Sequence, residues 1–109
     1  MNTQIKAEIT YGHTFDKAGN MLSPSDLLQA RDKIVNLAIE LFGGFTSLPT
    51  FGGWKSPEGS TVFEDGTCLL IITDANKRHE IEGFARFVRD QLRQQSVALT
   101  ISPVEFTII

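Results

Sequence analysis

The spacing of the apolar residues along this chain changes from the period of a strand to that of a helix and back again. Apolar and polar side chains alternate over residues 5–11, which is typical of a strand with one buried face. Helical spacing occupies residues 24–42 and returns from Ile81 to Leu92. Further strand patterns occupy residues 45–54, 60–73, 97–101 and 104–109. The predicted order is therefore strand–helix–strand–strand–helix–strand, with the last strand interrupted at Ser102-Pro103.

This order of elements predicts an α+β fold of the ferredoxin-like kind, βαββαβ. Two strand–helix–strand units with right-handed crossovers interleave into a four-stranded antiparallel sheet of order 4-1-3-2, with both helices on one face. Proline cannot donate to a central ladder and belongs on edge strands. Pro49 and Pro103 fall in the second and fourth strands, which this order places at the edges. The length of 109 residues fits one domain over residues 1–109.

Capping residues mark the ends of the predicted helices. Ser23-Pro24-Ser25-Asp26 combines a hydroxyl acceptor, a first-turn proline and an acid at the positive end of the helix dipole. Gly43-Gly44 ends the first helix, because glycine accepts the left-handed cap conformation. Asp74-Ala75-Asn76 is predicted to cap the second helix, which ends before residues 94–96.

The second and third strands are predicted to form a hairpin. Ser56-Pro57-Glu58-Gly59 suits a type I turn with proline at its first central position. Glu64-Asp65-Gly66 then falls inside the third strand, where a glycine usually marks a bulge. The alternative places the hairpin turn itself at Asp65-Gly66.

Composition narrows the classes of function. The formal net charge is −3 and the cations are scattered, which disfavours nucleic-acid binding. The single cysteine, Cys68, can form neither an internal disulfide nor a zinc site by itself, and no metal or cofactor is expected. No stretch approaches the ~18 apolar residues that a membrane span needs, and residues 1–6 lack a signal-peptide run. A cytoplasmic protein that engages no membrane is therefore expected.

The third strand is apolar on both faces over residues 68–72. One face packs under the helices, and the other lies on the open side of the sheet. Leaving such side chains wet costs ~1.5–3 kcal/mol each, which favours a homodimer through the open sheet face. The alternative is that the C-terminal segment or the loop at residues 12–22 covers this face. Lys6 and Glu8 make part of the face polar.

Tyr11 and His13 are the candidates for catalysis. They follow the first strand, at the end of the sheet where the first helix begins and the second helix ends, near Ser23, Ser25 and residues 94–96. Tyrosine and histidine can act as general acid and base, and histidine titrates near neutral pH. The alternative is that His13 is simply solvated in a polar loop.

Other residues are candidates for binding a ligand or a partner. Trp54 and Lys55 follow two glycines, so an exposed ring and a cation could contact a base or a partner protein. Arg78 and His79 open the second helix, where cations oppose the helix dipole and an anionic partner would relieve the mismatch. Gln95 lies at the end where Tyr11 is expected. The alternatives are Trp54 in the hairpin core and a solvated helix turn.

Several short segments resemble a family of small bacterial proteins of unknown function. The segments are Phe42-Gly43-Gly44-Phe45-Thr46, Gly53-Trp54, Pro57-Glu58-Gly59, Glu64 and Gln95-Ser96-Val97. The resemblance covers residues 11–100, although Phe45 replaces a leucine and Asp65-Gly66-Thr67 replaces a basic-Ser segment. It implies the ferredoxin-like fold and the hairpin register, and it implies no activity.

Together these observations favour a non-enzymatic binding or regulatory module, homodimeric, that engages a protein or a small ligand. Small acidic single-domain proteins without catalytic motifs are also common among phage-encoded inhibitors of host defence. One alternative is a small dimeric α+β-barrel enzyme that uses Tyr11 and His13. Another is a nucleotide-binding sensor that uses Trp54 and the helix ends.

Overall fold

The computed structural model describes residues 3–109, and its elements follow the predicted order. The strands are β1 (Gln4–Gly12), β2 (Thr46–Lys55), β3 (Thr61–Asp74) and β4 (Ala98–Val104). The helices are α1 (Pro24–Phe42) and α2 (Arg78–Gln91), the second preceded by a 3₁₀ turn at Ala75–Lys77. All strand pairs are antiparallel, and the sheet order is β2-β3-β1-β4. The ferredoxin-like fold and the sheet order are confirmed.

The two prolines within strands lie on the edges of the sheet, as predicted. Pro49 in β2 pairs with Thr67, and Pro103 in β4 pairs with Ile5. An edge strand has one side that bonds to no neighbour, so a missing N–H is tolerated there. This tolerance also explains why β4 continues through Pro103 to Val104. The prediction of a strand interrupted at Ser102-Pro103 was wrong, and residues 105–109 have no regular structure.

Helix α1 begins and ends where its capping residues predict. The Ser23 side-chain oxygen accepts a hydrogen bond from the Asp26 backbone N–H at 3.0 Å. Gly43 has a φ of 83°, and its N–H donates to the Ile39 carbonyl at 2.8 Å. A serine N-cap of this kind contributes about 1 kcal/mol. The cap predicted for the second helix differs, because Asp74 makes no side-chain capping bond and precedes the 3₁₀ turn.

The hydrophobic core lies between the helices and one face of the sheet. Alternate residues of β1 point into it, with Ala7 and Ile9 fully buried. Helix α2 contributes the apolar stripe predicted from its spacing, including Phe84, which is 1% exposed. The Phe84 ring meets that of Phe42 edge to face, with centroids 5.6 Å apart. Burial of each such side chain stabilises the fold by ~1.5–3 kcal/mol and fixes which sheet face stays open.

Strand β3 contains no bulge, so that prediction was wrong. The pairing of β2 with β3 is continuous, with Glu64 opposite Gly52 and Gly66 opposite Thr50. The hairpin turn lies at residues 56–60, where the Gly59 N–H donates to the Ser56 carbonyl at 2.9 Å, and not at the alternative Asp65-Gly66. Gly66 has a different role. A side chain there would collide with the Tyr11 carbonyl oxygen, so glycine permits close approach of β1.

Candidate functional site

The loop between β1 and α1 is joined to the end of α2. The Lys17 N–H donates to the Arg93 carbonyl at 2.7 Å, and the Gln94 side-chain amide donates to the Phe15 carbonyl at 2.7 Å. The Arg93 guanidinium also pairs with Asp26 at 3.1 Å. The exit of β1, the start of α1 and the end of α2 therefore meet at one end of the sheet, as the topology predicted.

Glu64 holds the start of this loop against the hairpin. Its Oε2 atom accepts hydrogen bonds from the backbone N–H groups of Thr14, at 3.1 Å, and Phe15, at 3.3 Å. These residues are about fifty positions away along the chain. The carboxylate lies over the α-carbon of Gly12, in space that any side chain there would occupy. Within residues 3–109, its other oxygen, Oε1, makes no hydrogen bond.

Glu64 and Trp54 lie on the same face of the sheet. Trp54 pairs with Val62 and Gly52 pairs with Glu64, and residues two apart on a strand share a face. This face is the open one, because the opposite face of β1 carries the buried core residues. The Trp54 side chain is 53% exposed and is therefore available for stacking.

A cavity of about 680 Å³ opens between these residues and the loop, and we call it the Glu64 cavity. Its aromatic lining residues are Trp54, Phe15 and Tyr11, and its charged ones are Glu64, Asp16 and Lys17. Hydrogen-bonding groups come from the segment after α2, residues 94–96. The volume is within the range of small-molecule sites, ~300–1,000 Å³. The cavity offers ring faces, amides and a carboxylate to a ligand.

The charge around the Glu64 cavity is acidic on balance. Asp16 is engaged with its own loop, since its Oδ1 accepts from the N–H groups of Ala18, at 2.9 Å, and Asn20, at 3.0 Å. Of the described residues that line the cavity, Lys17 is the only cation. Phosphate sites are built from several cations or from a helix N-terminus. The arrangement therefore favours an uncharged or cationic ligand over a phosphorylated one.

Tyr11 and His13 both line a second cavity, on the helix side of the sheet. The Tyr11 side chain points to that face and is buried. Burial raises the pKa of the Tyr11 hydroxyl, while a hydrogen bond to Thr67 and the charge of Arg31 lower it. A phenol with a raised pKa stays protonated at neutral pH and is a poor general base. His13 is half-buried and does not line the Glu64 cavity.

The structure places the predicted binding residues in three regions. Trp54 and Gln95 line the Glu64 cavity together. Lys55 ends β2 beside the hairpin turn and lines neither cavity. Arg78 and His79 open α2 at the opposite end of the sheet, where Arg78 pairs with Glu82 at 3.8 Å.

Sequence reasoning missed the role of Glu64 and the part played by Phe15. Glu64 was assigned to a bulge, although it lies two residues from Val62 and on the same face of the strand. A lone acid on an otherwise apolar strand face is a local signal that could have drawn attention to it. Its bonds to the loop could not be predicted, because no local pattern relates residues about fifty positions apart.

Residues 3–109 contain neither a membrane-spanning helix nor a cluster of metal ligands. No helix in this part of the chain is both long and apolar enough to cross a bilayer. Within the same described residues, no group of three or more His, Cys, Asp or Glu side chains is arranged to hold a metal ion. Cys68 is buried and free of any disulfide.

No protein-family model and no curated protein sequence matches this chain. Solved structures do resemble it. A phage SAM lyase in complex with S-methyl-5'-thioadenosine aligns with a TM-score of 0.68 and 15% identity, covering 94% of this chain and 83% of the lyase. A DUF3240 family protein from Shewanella baltica aligns at 0.64 and 15%, covering 100% and 98%.

The periplasmic divalent cation tolerance protein CutA from Archaeoglobus fulgidus aligns with a TM-score of 0.61 and 12% identity, covering 96% of this chain and 87% of CutA. The TM-scores of these three alignments establish a shared fold. Identities this low carry no activity from one protein to another. For the family resemblance noted in the sequence, these alignments support the expected fold and do not show membership of a family. The chain has the ferredoxin-like fold of these proteins.

Proposed function

We propose that this protein is a non-enzymatic binding module whose ligand is an unphosphorylated nucleoside, held in the Glu64 cavity. The observation that carries the proposal is the placement of the exposed Trp54 ring and the Glu64 carboxylate around one cavity. One carboxylate oxygen is fixed by two backbone N–H groups, so the carboxylate is oriented before a ligand arrives.

Each part of a nucleoside has a matching group in the Glu64 cavity. An aromatic base can stack on the Trp54 indole, and such stacking contributes ~1–3 kcal/mol per base. A carboxylate oxygen accepts hydrogen bonds from the ribose diol, as acidic residues do in other nucleoside sites. The Oε1 atom of Glu64 is available for this role. The side-chain amides of Gln94 and Gln95 can both donate to and accept from the edge of a base.

The preference for a nucleoside over a nucleotide follows from charge. Glu64 and Asp16 line the cavity with Lys17 as the single cation, so a phosphate group would meet net repulsion. This separates the proposal from a nucleotide sensor. The phage SAM lyase of similar fold holds S-methyl-5'-thioadenosine, a nucleoside thioether without phosphate. That ligand supports the class of molecule proposed here.

Calorimetric titration with S-methyl-5'-thioadenosine tests the proposal. The wild-type protein should bind one molecule per chain, and Glu64→Gln should weaken binding at least tenfold by removing the charged acceptor. Glu58→Gln is the matched control, because Glu58 is exposed in the hairpin turn and lines neither cavity. Absence of saturable binding, or equal loss in both variants, would contradict the proposal.

We also propose that the protein forms a homodimer through the open sheet face. The part of this face around Leu48, six residues along β2 from Trp54, is apolar and incompletely covered, with Leu48 45% exposed. The half near β1 carries the Lys6–Glu8 ion pair at 3.2 Å, which suits the rim of an interface. Leu48→Glu should then shift sedimentation equilibrium toward the monomer. A monomeric wild-type protein at micromolar concentration would contradict this proposal.

We further propose that the protein is cytoplasmic and phage-encoded, and that it inhibits a host defence. Similarity of fold to a phage protein supports the phage part of it. Binding of a nucleoside would suit such a protein if the ligand belongs to the host. Genes adjacent to the coding sequence test this directly: a phage structural or replication neighbourhood supports it, and a bacterial operon contradicts it.

A further inference from the structure

The second cavity, about 510 Å³ in volume, lies between α1 and the helix-facing side of β2 and β3. We call it the Arg31 cavity. Its walls are mainly apolar and come from both layers of the fold, including Leu27, Ile34, Val35, Phe45 and Leu69. The volume is within the range of small-molecule sites, ~300–1,000 Å³. The walls suit the hydrocarbon or aromatic body of a ligand.

Among the residues that the structure describes, Arg31 is the only permanently charged one that lines this cavity. Among residues 3–109, its guanidinium makes neither an ion pair nor a hydrogen bond. In the described part of the chain, no Asp or Glu side chain lines the cavity. The two cavities therefore differ in charge, because the Glu64 cavity carries two carboxylates and the Arg31 cavity carries a cation with no ion-pair partner among residues 3–109.

Hydroxyl groups lie on the sheet side of the cavity. Tyr11, Thr67 and Ser47 carry these hydroxyls, and all three residues line the cavity. Thr67 pairs with the core residue Tyr11 and therefore lies on the helix-facing side. Ser47 shares that side, because it is two residues from Pro49, which pairs with Thr67. Hydroxyls can donate to a carboxylate oxygen that a guanidinium already holds. The hydroxyls thus lie on the sheet side of an otherwise apolar space, and Arg31 belongs to α1.

We propose that the Arg31 cavity binds a small monocarboxylic acid with an apolar or aromatic body. The planar guanidinium fork of Arg31 matches a carboxylate with two parallel hydrogen bonds. The apolar walls contact the body of the ligand, while Arg31, an exposed residue, binds its carboxylate. A phosphorylated ligand fits less well, because one cation faces a doubly charged group and the remaining walls are apolar.

The test is calorimetric titration with 1-naphthoate and with its uncharged amide, 1-naphthamide. The acid should bind one molecule per chain, at least tenfold more tightly than the amide. Arg31→Gln should weaken binding of the acid at least tenfold, and Arg31→Lys by less. Lys33→Gln is the matched control, since it removes the same charge from an exposed position of α1 that lines neither cavity.

Thermal unfolding of Arg31→Gln should match the wild type, because Arg31 is exposed and makes no bond within the described residues. Amide resonances of Ser47 and Thr67 should shift on adding naphthoate, while the Trp54 indole resonance should not. Equal affinity for acid and amide, or an unchanged affinity in Arg31→Gln, would overturn the proposal. A resonance shift confined to Trp54 would also overturn it. The same holds if Arg31→Gln dissociates a dimer and leaves naphthoate binding unchanged. Nucleoside binding reports on the other cavity and stands or falls separately.

Discussion

The carboxylate of Glu64 occupies the space above the α-carbon of Gly12 where a side chain at that position would lie. This relationship joins the end of β1 to the hairpin, because the same carboxylate bonds to the two backbone N–H groups that follow. Gly12 is therefore required for the shape of the Glu64 cavity. The requirement is steric and would hold with or without a ligand.

A comparison of alanine substitutions at two glycines follows from the kind of atom each would meet. At Gly12 the obstacle is the end of the flexible Glu64 side chain, whereas at Gly66 it is the Tyr11 carbonyl oxygen in the backbone. Gly12→Ala should cost ~1 kcal/mol of unfolding free energy by displacing the carboxylate, and Gly66→Ala ~2–3 kcal/mol by pushing strands apart. Urea denaturation measures both. Equal costs, or a larger cost at Gly12, would contradict the close approach of the Tyr11 carbonyl oxygen to Gly66.

The N-cap of α1 gives a second prediction. Ser23→Ala should lower the free energy of unfolding by about 1 kcal/mol, because the Asp26 N–H loses its acceptor. Ser25→Ala removes the same hydroxyl from the first turn of the same helix, where it makes no bond within the described residues. Its expected effect is within about 0.5 kcal/mol of zero. Chemical denaturation of the two variants side by side separates them, and similar effects would argue against the cap.

Tyr11 predicts a dependence on high pH. The pKa of its hydroxyl is raised above 10.0 in the folded state, mainly by burial. The folded protein therefore holds this proton more tightly than the unfolded chain does. Its contribution to stability is complete below pH 10 and is lost as pH rises through the folded-state pKa. Because Tyr11 is the single tyrosine, tyrosinate absorbance reports on it alone. Ionisation below pH 10 in the folded protein would contradict this.

The fold could be predicted from the sequence because its signals are local or depend on strand position. Alternation in β1, the stripe in α2 and the caps of α1 each describe one element. Right-handed crossovers gave the strand order, and Pro49 and Pro103 supported it, since only edge strands tolerate them. Gly66 was misinterpreted as a bulge for a physical reason. A strand glycine can permit either a bulge or a close approach, and only the position of Tyr11 distinguishes the two.

The candidate site could be predicted only in part. Trp54 and Gln95 were identified by residue type and by the end of the sheet where Gln95 was expected, and both line the Glu64 cavity. Glu64 was missed because its importance comes from bonds to Thr14 and Phe15 across the fold. Arg31 was missed because a cation on an exposed helix position is ordinary in sequence. Its environment becomes visible only once α1 is packed on the sheet.

The most direct test of the central claim uses the fluorescence of Trp54, the only tryptophan. Adenosine and adenosine 5'-monophosphate share a base and a ribose and differ only in the phosphate. Titration of the wild-type protein should show saturable quenching by adenosine, with the monophosphate binding at least tenfold more weakly because of the acidic cavity. Tighter binding of the monophosphate, or no change in emission with either molecule, would contradict a nucleoside site between Trp54 and Glu64.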